Sequence, residues 1–372
     1  MRILYFSRDY TTHDHRFLSS LAESEYEVFY LRLERGARQL EDRPIPTNII
    51  QVDWAGGKQE ARWQDGLQLL GDLKRVIREV NPELIHAGPV QTCAFLVALT
   101  GFMPLVTMSW GSDLLKDSER SLLMRLVTRY TLRKTTLLIG DCRAVREKAV
   151  SFGFLAENSV LFPWGIDLKR FSPEKNHDLR ERHGWEDAFV LLSLRSWESI
   201  YGVDVVVKGF IQAARQIPEL RLVLLGNGSK APEIHQLIDQ AGMQERVFFG
   251  GQVAQQDLPV FYQAADLYIS ASYSDGSSVS LMEALASGLP ALVSDIPGNL
   301  EWVEPDKHGW LFPTGDAKAL SATICKAVEQ RDQLAQMGIN ARALAEKRAD
   351  WRKNFQKLLD GYCQARFLTK CC

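Results

Sequence analysis

The chain has 372 residues, of which 46% are hydrophobic and 24% charged, and its formal net charge is −2 at pH 7. A single hydrophobic core seldom serves so long a chain, so the length predicts two domains of roughly 150–200 residues. The near-zero charge argues against nucleic-acid binding as the main activity, because proteins that bind nucleic acid non-specifically carry a strong basic excess.

The amino-terminal residues predict a short strand and not an export signal. Residues 3–6 are apolar, but Arg8 and Asp9 follow soon after, whereas the apolar region of a signal peptide runs for about 7–15 residues. The longest mostly apolar stretch, residues 94–106, falls short of the roughly 20 residues that span a bilayer. We therefore expect a cytoplasmic protein whose cysteines are reduced thiols.

The six cysteines form no Cys-x-x-Cys pair and have no histidine cluster beside them, and the second half contains no Asp-x-Asp metal motif. The sequence therefore predicts no metal site and no other cofactor. Cys371 and Cys372 are either an acylation site or part of an unselected tail.

Short aliphatic or β-branched segments alternate with longer amphipathic ones, a pattern typical of β-α-β units around parallel sheets. In the first half this pattern predicts helices over 64–80 and 121–132 and strands over residues 3–6, 28–31, 49–52, 84–86, 105–108, 137–139 and 160–162. In the second half it predicts helices over 203–216, 232–241 and 279–286 and strands over residues 190–194, 222–225, 247–249, 267–270, 291–293 and 310–312. From residue 316 onward the spacing of apolar residues predicts helices to the end.

The boundary between the two halves is predicted within residues 163–183. Prolines and glycines interrupt regular structure there and a polar run follows, so this segment is the best linker candidate. We predict a first domain over residues 1–168, with the final helix at about 352–372 packing back on it, and a second over residues 169–351. Both are expected to be doubly wound α/β domains with a ligand crevice at the carboxyl ends of their strands.

The densest group of candidate site residues follows the fourth predicted strand of the second half. A loop of small residues leads there into the predicted helix 279–286. Such a loop leaves backbone N–H groups free to bind phosphate oxygens, assisted by the helix dipole. The candidates in this segment are Gly276, Ser277, Ser278 and Val279.

Two carboxylates belong to the same segment. Glu283 lies among apolar neighbours in the predicted helix, where a carboxylate is unfavourable unless it is paired. Its partner is either the ribose of a nucleotide or a nearby Arg or Lys. Asp275 lies eight residues earlier, where it faces another part of the same ligand or only forms an Asp-Gly turn.

An arginine and a tight turn follow the first two strands of the second half. Arg195 comes directly after the first strand, and a guanidinium there suits a diphosphate, whose charge grows as a glycosidic bond breaks. The alternative is a surface arginine that flanks a strand. Gly226 and Gly228 follow the second strand, where glycines serve either the turn alone or a ligand's approach.

The first half contributes polar residues after several strands. Trp110 and Asp113 follow the fifth strand, and Asp113 either caps a helix, which we slightly favour, or lines the crevice. His13, after the first strand, either contacts an acceptor or lies in a solvated loop, and His86, the last residue of the fourth strand, has a similar dual interpretation. No Gly-x-Gly-x-x-Gly follows the first strand, which argues against a nicotinamide-dependent dehydrogenase.

Taken together, these motifs resemble the retaining GT-B nucleotide-sugar glycosyltransferases of glycosyltransferase family four, also called glycosyl transferases group 1. The resemblance covers nearly the whole chain. The segment from Asp275 to Glu283 is similar to the family's Glu-x7-Glu motif, and Val253 lies in a segment that resembles its base-contacting loop. Residues 164–171 resemble the interdomain signature, and residues 110–113 the His-Gly-Ser/Thr-Asp loop, with tryptophan replacing the commoner histidine.

The resemblance implies two Rossmann-like domains that face a shared cleft. It implies transfer of a hexose-type sugar from a nucleoside diphosphate sugar to a glycan, lipid-linked or small-molecule acceptor, with retained configuration and without a metal. Glu283 would bind ribose, Arg195 the diphosphate and Asp275 the donor sugar. The further residues implied at the donor are Gly228, Val253, Tyr201 and Lys230. Asp113 would join Arg195 and Asp275 in catalysis, and the acceptor-side residues would be His13, His86 and Trp110.

Two departures from the family pattern bear on the chemistry. Asp275 stands where a glutamate is usual and is one methylene shorter. Tyr201 stands where a lysine normally joins Arg195, so that role falls to Tyr201, to Lys230 or to a helix N-terminus. The alternative is a non-catalytic protein that binds nucleotide sugars.

Residues 121–134 carry basic side chains among leucines. This segment could contact an anionic membrane that holds a lipid-linked acceptor. The alternative is a domain-surface helix with solvated arginines.

Overall fold

The computed structural model describes residues 1–36, 41, 43–176 and 178–370, so Cys371 and Cys372 lie outside the described residues. The chain forms two compact units, one of Met1–Phe162 with the segment from Phe355 onward, and one of Pro163–Asn354. Each unit is built around one parallel sheet, as the alternation of short and long segments predicts. Every predicted strand is present, to within two residues at either end.

The first unit has seven described strands, all paired in parallel, in the order β3-β2-β1-β4-β5-β6-β7. These strands are β1 (Arg2–Arg8), β2 (Glu27–Leu33), β3 (Ile49–Gln51), β4 (Leu84–Gly88), β5 (Leu105–Met108), β6 (Leu137–Gly140) and β7 (Ser159–Leu161). The helices between them are α1 (Thr12–Ala22), α2 (Gly66–Val80), α3 (Phe95–Thr100), α4 (Ser112–Leu115), α5 (Leu122–Lys134) and α6 (Arg143–Ser151), and a π-helical turn (Val90–Ala94) precedes α3.

The second unit has six described parallel strands in the order β10-β9-β8-β11-β12-β13. These strands are β8 (Phe189–Leu194), β9 (Leu220–Leu225), β10 (Val247–Gly251), β11 (Leu267–Ser270), β12 (Ala291–Ser294) and β13 (Gly309–Phe312). The helices are α7 (Asp178–His183), α8 (Val203–Ala214), α9 (Ala231–Ala241), α10 (Leu258–Ala264), α11 (Val279–Ala286), α12 (Pro297–Leu300), α13 (Ala317–Glu329) and α14 (Leu334–Arg348), and the chain continues into α15 (Trp351–Lys370).

Strand β8 shows why this sheet is covered on both faces. Successive side chains of a strand point to opposite faces, and parallel sheets bury both of them. Leu191 packs into the apolar cluster that includes Phe210 of α8, whereas its neighbours Val190 and Leu192 pack into the cluster that includes Leu285 of α11. A near-continuous apolar run is therefore what a central parallel strand requires.

The segment predicted as a linker packs into the second unit instead. Ile166 and Phe171 are buried in its core, and the Ile166 N–H donates to the Ala349 carbonyl at 2.7 Å. Part of the polar run forms α7. The prolines and glycines here mark changes of chain direction, and the apolar residues between them are the better guide to burial.

Strand order places the candidate site in this unit. The chain builds outward from β8 through β9 and β10 and then crosses back to place β11 on the other side of β8. Ligands of doubly wound sheets bind at such a reversal, outside the carboxyl ends of the two strands that flank it. Those ends carry Arg195 and the loop that precedes α11.

A glycine contact next to this edge gives a stability prediction. Gly202 has φ +58° and its added Cβ would overlap the Ala271 carbonyl oxygen, whereas Gly184 has φ +62° and nothing within 4 Å. Gly184→Ala should lower the free energy of unfolding by about 1–2 kcal/mol, the cost of an alanine in the left-handed conformation. Gly202→Ala should lower it by that amount and by a further ~1–3 kcal/mol, because the added methyl group overpacks the contact with Ala271. Urea unfolding of both variants measures the difference, and equal losses would show that the Ala271 contact relaxes freely.

Candidate functional site

Arg195 lies at the centre of the site in the second unit. Its Nη1 donates to Ser278 Oγ at 2.7 Å and to Ser280 Oγ at 3.2 Å, and its Nη2 donates to Asp275 Oδ2 at 2.7 Å. The structure therefore brings together the arginine after β8 and the polar loop after β11. The interpretation of Arg195 as a surface arginine is wrong, because its side chain is only 12% exposed.

The surroundings of Arg195 keep it charged. Burial opposes the charge, but the Asp275 carboxylate and the neighbouring tyrosines, Tyr201 first, raise the pKa of Arg195 above its ordinary value. The guanidinium carbon lies 4.2 Å from the centroid of the Tyr201 ring, the geometry of a cation–π contact. Its Nε is buried and has no hydrogen-bond partner within the described ranges.

Tyr201 thus takes the position beside the guanidinium without adding a charge. An ammonium group in that place would repel Arg195, whereas the aromatic face attracts it and restricts its movement. Lys230 precedes α9, and its Nζ pairs with Glu233 Oε2 at 2.6 Å. The observed ion pairs therefore link Lys230 to α9 and Arg195 to Asp275.

Glu283 lies on α11 and is 3% exposed. The hydroxyl of Tyr262, from α10, donates to Glu283 Oε2 at 2.8 Å. Burial and the nearby Glu283 charge raise the pKa of Tyr262 well above its usual value, so the phenol keeps its proton and stays a donor. Sequence reasoning considered ribose, Arg or Lys as partners and missed this tyrosine, because no spacing connects α10 to α11.

The hydroxyl groups at the start of α11 form a buried network. Ser278 is the N-cap residue, but its side chain makes no capping hydrogen bond and accepts from Arg195 instead. Ser280 Oγ lies 3.1 Å from Ser278 Oγ and 2.8 Å from the hydroxyl of Tyr268 on β11. The Trp302 indole donates to Ser277 Oγ at 3.2 Å. Tyr268 and Trp302 are therefore supporting residues that the motif did not predict.

The glycines around the site allow close backbone contacts. An added Cβ on Gly228 would overlap the Trp197 backbone, and one on Gly298 would overlap the Gly276 carbonyl oxygen. The Trp197 N–H donates to the Asn227 carbonyl at 2.9 Å. Gly228 thus serves the packing of the turn after β9, which is the simpler of its two interpretations.

The other residues predicted at the sugar-donor site lie in or next to the turns and loops at the same edge of the sheet. Val253 follows β10 and packs, half-buried, against the unit's core, and Gly226 connects the turn after β9 to β10 by donating to the Gly251 carbonyl at 2.6 Å. Gly276 and Ser277 are buried in the loop after β11, and Val279 is the first residue of α11.

In the first unit, His13 and Trp110 come together. Their ring centroids are 5.4 Å apart. The prediction that His13 lies in a solvated loop is wrong, because the residue lies in the first turn of α1. A reciprocal capping box, in which Thr11 and Asp14 each bind the other's backbone N–H, starts that helix.

Asp113 is not the N-cap of α4, the helix of its own segment, so the capping interpretation is wrong there, although its carboxylate binds the first backbone N–H of the π-helical turn Val90–Ala94. Gly111 is the N-cap of α4, and Asp113 is the second residue of the helix. Its carboxylate accepts from Ser109 Oγ at 2.6 Å and from the Val90 N–H at 3.0 Å. Burial raises the pKa of Asp113 and these hydrogen bonds oppose the rise.

His86 is enclosed by protein and is not brought together with His13 and Trp110. It lies inside β4, which continues to Gly88, so the prediction that it ends its strand is wrong. Its ring is 1% exposed, and its Nδ1 lies 2.5 Å from the Tyr362 hydroxyl on α15. Burial lowers the pKa of His86 to about 3, which keeps the ring neutral.

Two α/β units of Rossmann type in one chain are the architecture of the GT-B class of fold, and comparison with known families supports that class. Residues 169–344 match the family model described as Glycosyl transferases group 1, and residues 2–141 match the model described as Glycosyl transferase 4-like. One model matches within each unit, and the two together cover most of the chain. The chain belongs to the GT-B glycosyltransferases of group 1.

Individual relatives differ in how much of the chain they cover. Mannosylfructose-phosphate synthase of Agrobacterium fabrum is 30% identical over 208 residues, which are 52% of this chain and 46% of that protein. The GDP-mannose-dependent alpha-(1-6)-phosphatidylinositol monomannoside mannosyltransferase of Mycolicibacterium smegmatis is 23% identical over 321 residues, 79% of this chain and 80% of that protein. The chain thus spans less than half of the first relative's length.

A solved structure shows the same fold. The crystal structure of Anabaena Alr3699/HepE in complex with UDP has a TM-score of 0.80 and 21% identity, and the match covers 98% of this chain and 100% of that one. Among the residues that the structure describes, every helix is too short or too polar to span a bilayer. Residues 1–36, 41, 43–176 and 178–370 contain no group of three or more His, Cys, Asp or Glu side chains placed to hold a metal ion.

The burial of His86 predicts how stability depends on pH. The unfolded chain takes up a proton at this residue near pH 6.5 and the folded chain does not until about pH 3. The contribution of His86 to the free energy of unfolding is therefore at its full value above pH 6.5. Below that pH it falls by about 1.4 kcal/mol per pH unit. His86→Gln should lack this slope, so the difference in unfolding free energy between the native chain and the variant should shrink between pH 6.5 and 4.5. A difference that stays constant over that range would show that His86 is not buried as a neutral ring.

Proposed function

We propose that this chain is a retaining glycosyltransferase that moves a hexose-type sugar from a nucleoside diphosphate sugar to a glycan, lipid-linked or small-molecule acceptor. The observation that carries the proposal is the buried, charged guanidinium of Arg195 at the reversal point of the second sheet. A fixed cation next to a loop of small residues and a helix N-terminus is the arrangement that a leaving diphosphate needs.

At the donor site, we propose that Arg195 exchanges its ionic partner when the nucleotide sugar binds. In the structure Arg195 Nη2 binds Asp275, so its charge is already compensated. A diphosphate oxygen that replaced the carboxylate would keep the guanidinium paired and would release Asp275 toward the sugar hydroxyls. Glu283, held by Tyr262, is proposed to accept hydrogen bonds from the ribose.

The proposed reaction breaks the bond between the anomeric carbon and the diphosphate oxygen, and the acceptor hydroxyl oxygen forms its bond to that carbon from the same face. The hydroxyl proton passes to the departing diphosphate oxygen. Negative charge grows on the departing diphosphate. Arg195 and the backbone N–H groups at the start of α11 are proposed to stabilise that charge, so that no metal is required. We further propose that the acceptor binds at the carboxyl edge of the first sheet, where His13, Trp110 and Asp113 lie.

The names of the relatives support a catalytic role and a hexose donor. They are called a mannosylfructose-phosphate synthase and a GDP-mannose-dependent mannosyltransferase, and the similar Anabaena protein has been solved with UDP-glucose. These names favour an enzyme over a non-catalytic nucleotide-sugar-binding protein. The base, the acceptor and the cytoplasmic location stay predictions. A thermal-shift screen with UDP-, GDP- and ADP-sugars selects the donor, because a ligand of the folded state raises the melting temperature.

With the nucleotide sugar that the screen selects, Arg195→Ala should lower the turnover number more than it weakens donor binding. The leaving oxygen gains charge as the bond breaks, so a fixed cation stabilises the transition state more than the bound substrate. The loss should be on the order of 10²–10³ in turnover. Arg195→Lys should recover only part of the lost turnover, because an ammonium group cannot replace the planar guanidinium. Steady-state kinetics and calorimetric donor affinity measure the two effects.

Two controls sharpen this test. Arg221→Ala should keep near-normal turnover, because the Arg221 guanidinium donates to the carbonyls of Pro218 and Leu220 away from the site. Tyr201→Phe should resemble the native chain, because the ring and not the hydroxyl contacts Arg195. A near-normal turnover number for Arg195→Ala would move the cationic role elsewhere, with Lys230 the first candidate.

Glu283→Gln should weaken donor binding by about 1.5–3 kcal/mol, because it removes a charged acceptor from the ribose contact. Isothermal calorimetry with the nucleoside diphosphate measures this loss. Asp266→Asn is the matched control, since that carboxylate precedes β11 and pairs with Arg180. Unchanged nucleotide affinity in Glu283→Gln would make Glu283 a structural partner of Tyr262 and would refute the ribose assignment.

A further inference from the structure

Helix α5 of the first unit exposes its most apolar side chains. Leu122 is 80% exposed, Leu126 67% and Leu123 60%. Leu122 and Leu126 are four residues apart and therefore lie on one face of the helix. An exposed group of large aliphatic side chains on one helical face marks an interaction surface, whereas single exposed leucines do not.

The buried face of the same helix holds fewer large apolar side chains than the core-facing side of a surface helix usually does. The residues that α5 buries are Val127, Thr128, Thr131 and Leu132. The two threonines point inward and bind protein, since the Thr131 hydroxyl donates to the Val127 carbonyl at 2.9 Å and the Thr128 hydroxyl accepts from the Gln91 side chain at the same distance. Of the four leucines of α5, only Leu132 is buried, and the other three are exposed together with the basic residues. A surface helix usually turns most of its large apolar side chains toward the core.

Basic side chains surround the exposed leucines. The thirteen-residue helix carries four basic residues and no acidic one, although the whole chain has a net charge of −2. Arg125 and Arg129 are exposed beside the leucines, and Arg133 and Lys134 are exposed in the last turn. Within the described part of the chain none of the four forms an ion pair, and Glu119, just before the helix, pairs with Lys148 at 2.7 Å.

We propose that the exposed face of α5 docks on an anionic lipid bilayer. Leucine side chains at this exposure can enter the headgroup boundary, and unpaired arginines beside them attract anionic lipids. Tyr130, 38% exposed and with its ring 6.0 Å from that of Phe95, adds an aromatic side chain of the kind enriched at membrane interfaces. The proposal rests on α5 alone and not on the proposed transfer reaction.

Flotation of the full-length chain with lipid vesicles tests this surface. The chain should float with vesicles of phosphatidylcholine and phosphatidylglycerol, float much less with pure phosphatidylcholine, and lose binding as salt is raised. Leu122→Ser with Leu126→Ser, and separately Arg129→Glu with Arg133→Glu, should each lower the apparent partition coefficient by about tenfold or more.

The matched controls are on α2. Leu67 is an 88% exposed leucine, and Lys74 and Arg78 are exposed basic residues four positions apart. Leu67→Ser and the pair Lys74→Glu with Arg78→Glu should leave flotation unchanged, and thermal melting of every variant should match the native chain. Binding of the nucleotide sugar should also be unchanged in the α5 variants, so failure of the membrane surface is distinguishable from failure of the donor site.

Two results would overturn the proposal. One is that the native chain and the α5 variants float to the same extent, or that the native chain does not float with anionic vesicles at all. The other is concentration-dependent dimerisation in light scattering that the leucine substitutions abolish, because the face would then bind a second copy of the chain.

Discussion

The second unit depends on one interaction, the burial of the Arg195 charge. Removal of a guanidinium from water costs several kcal/mol unless charged and polar partners replace the water. The partners of Arg195 come from three separate segments, the loop after β11, the start of α11 and the turn before α8. These segments must therefore keep fixed positions around the end of β8. The charge that suits a diphosphate is the same one that organises the surrounding loops.

Glycines make that gathering of segments sterically possible. The turn before α8 approaches β11 where Gly202 faces Ala271, and α12 approaches the loop after β11 where Gly298 faces Gly276. In both places any larger side chain would meet a carbonyl oxygen. The two glycines therefore let these backbone segments approach one another closely at this edge of the sheet.

The carboxylates of the two units are held by different chemistry. Asp275 is paired with a permanent cation, whereas Asp113 accepts from a serine hydroxyl and a backbone N–H. Neutral donors stabilise a carboxylate less than an arginine does, so burial prevails and raises the pKa of Asp113. Asp113 therefore takes up a proton more readily than an ordinary aspartate.

The sequence by itself determined the parallel sheets, their strands and the loop before α11, because apolar periodicity and small-residue loops are local signals. The motif residues could also be found, since Arg195 directly follows β8, Ser278 directly precedes α11 and Asp275 lies in the loop between β11 and α11. Only the tertiary structure decided their partners. Tyr262 lies 21 residues before Glu283 and Tyr362 lies 276 residues after His86, and no local spacing relates such pairs. Burial of His86 and exposure of Leu122 were likewise decided by packing, because a side chain's environment depends on which distant element covers it.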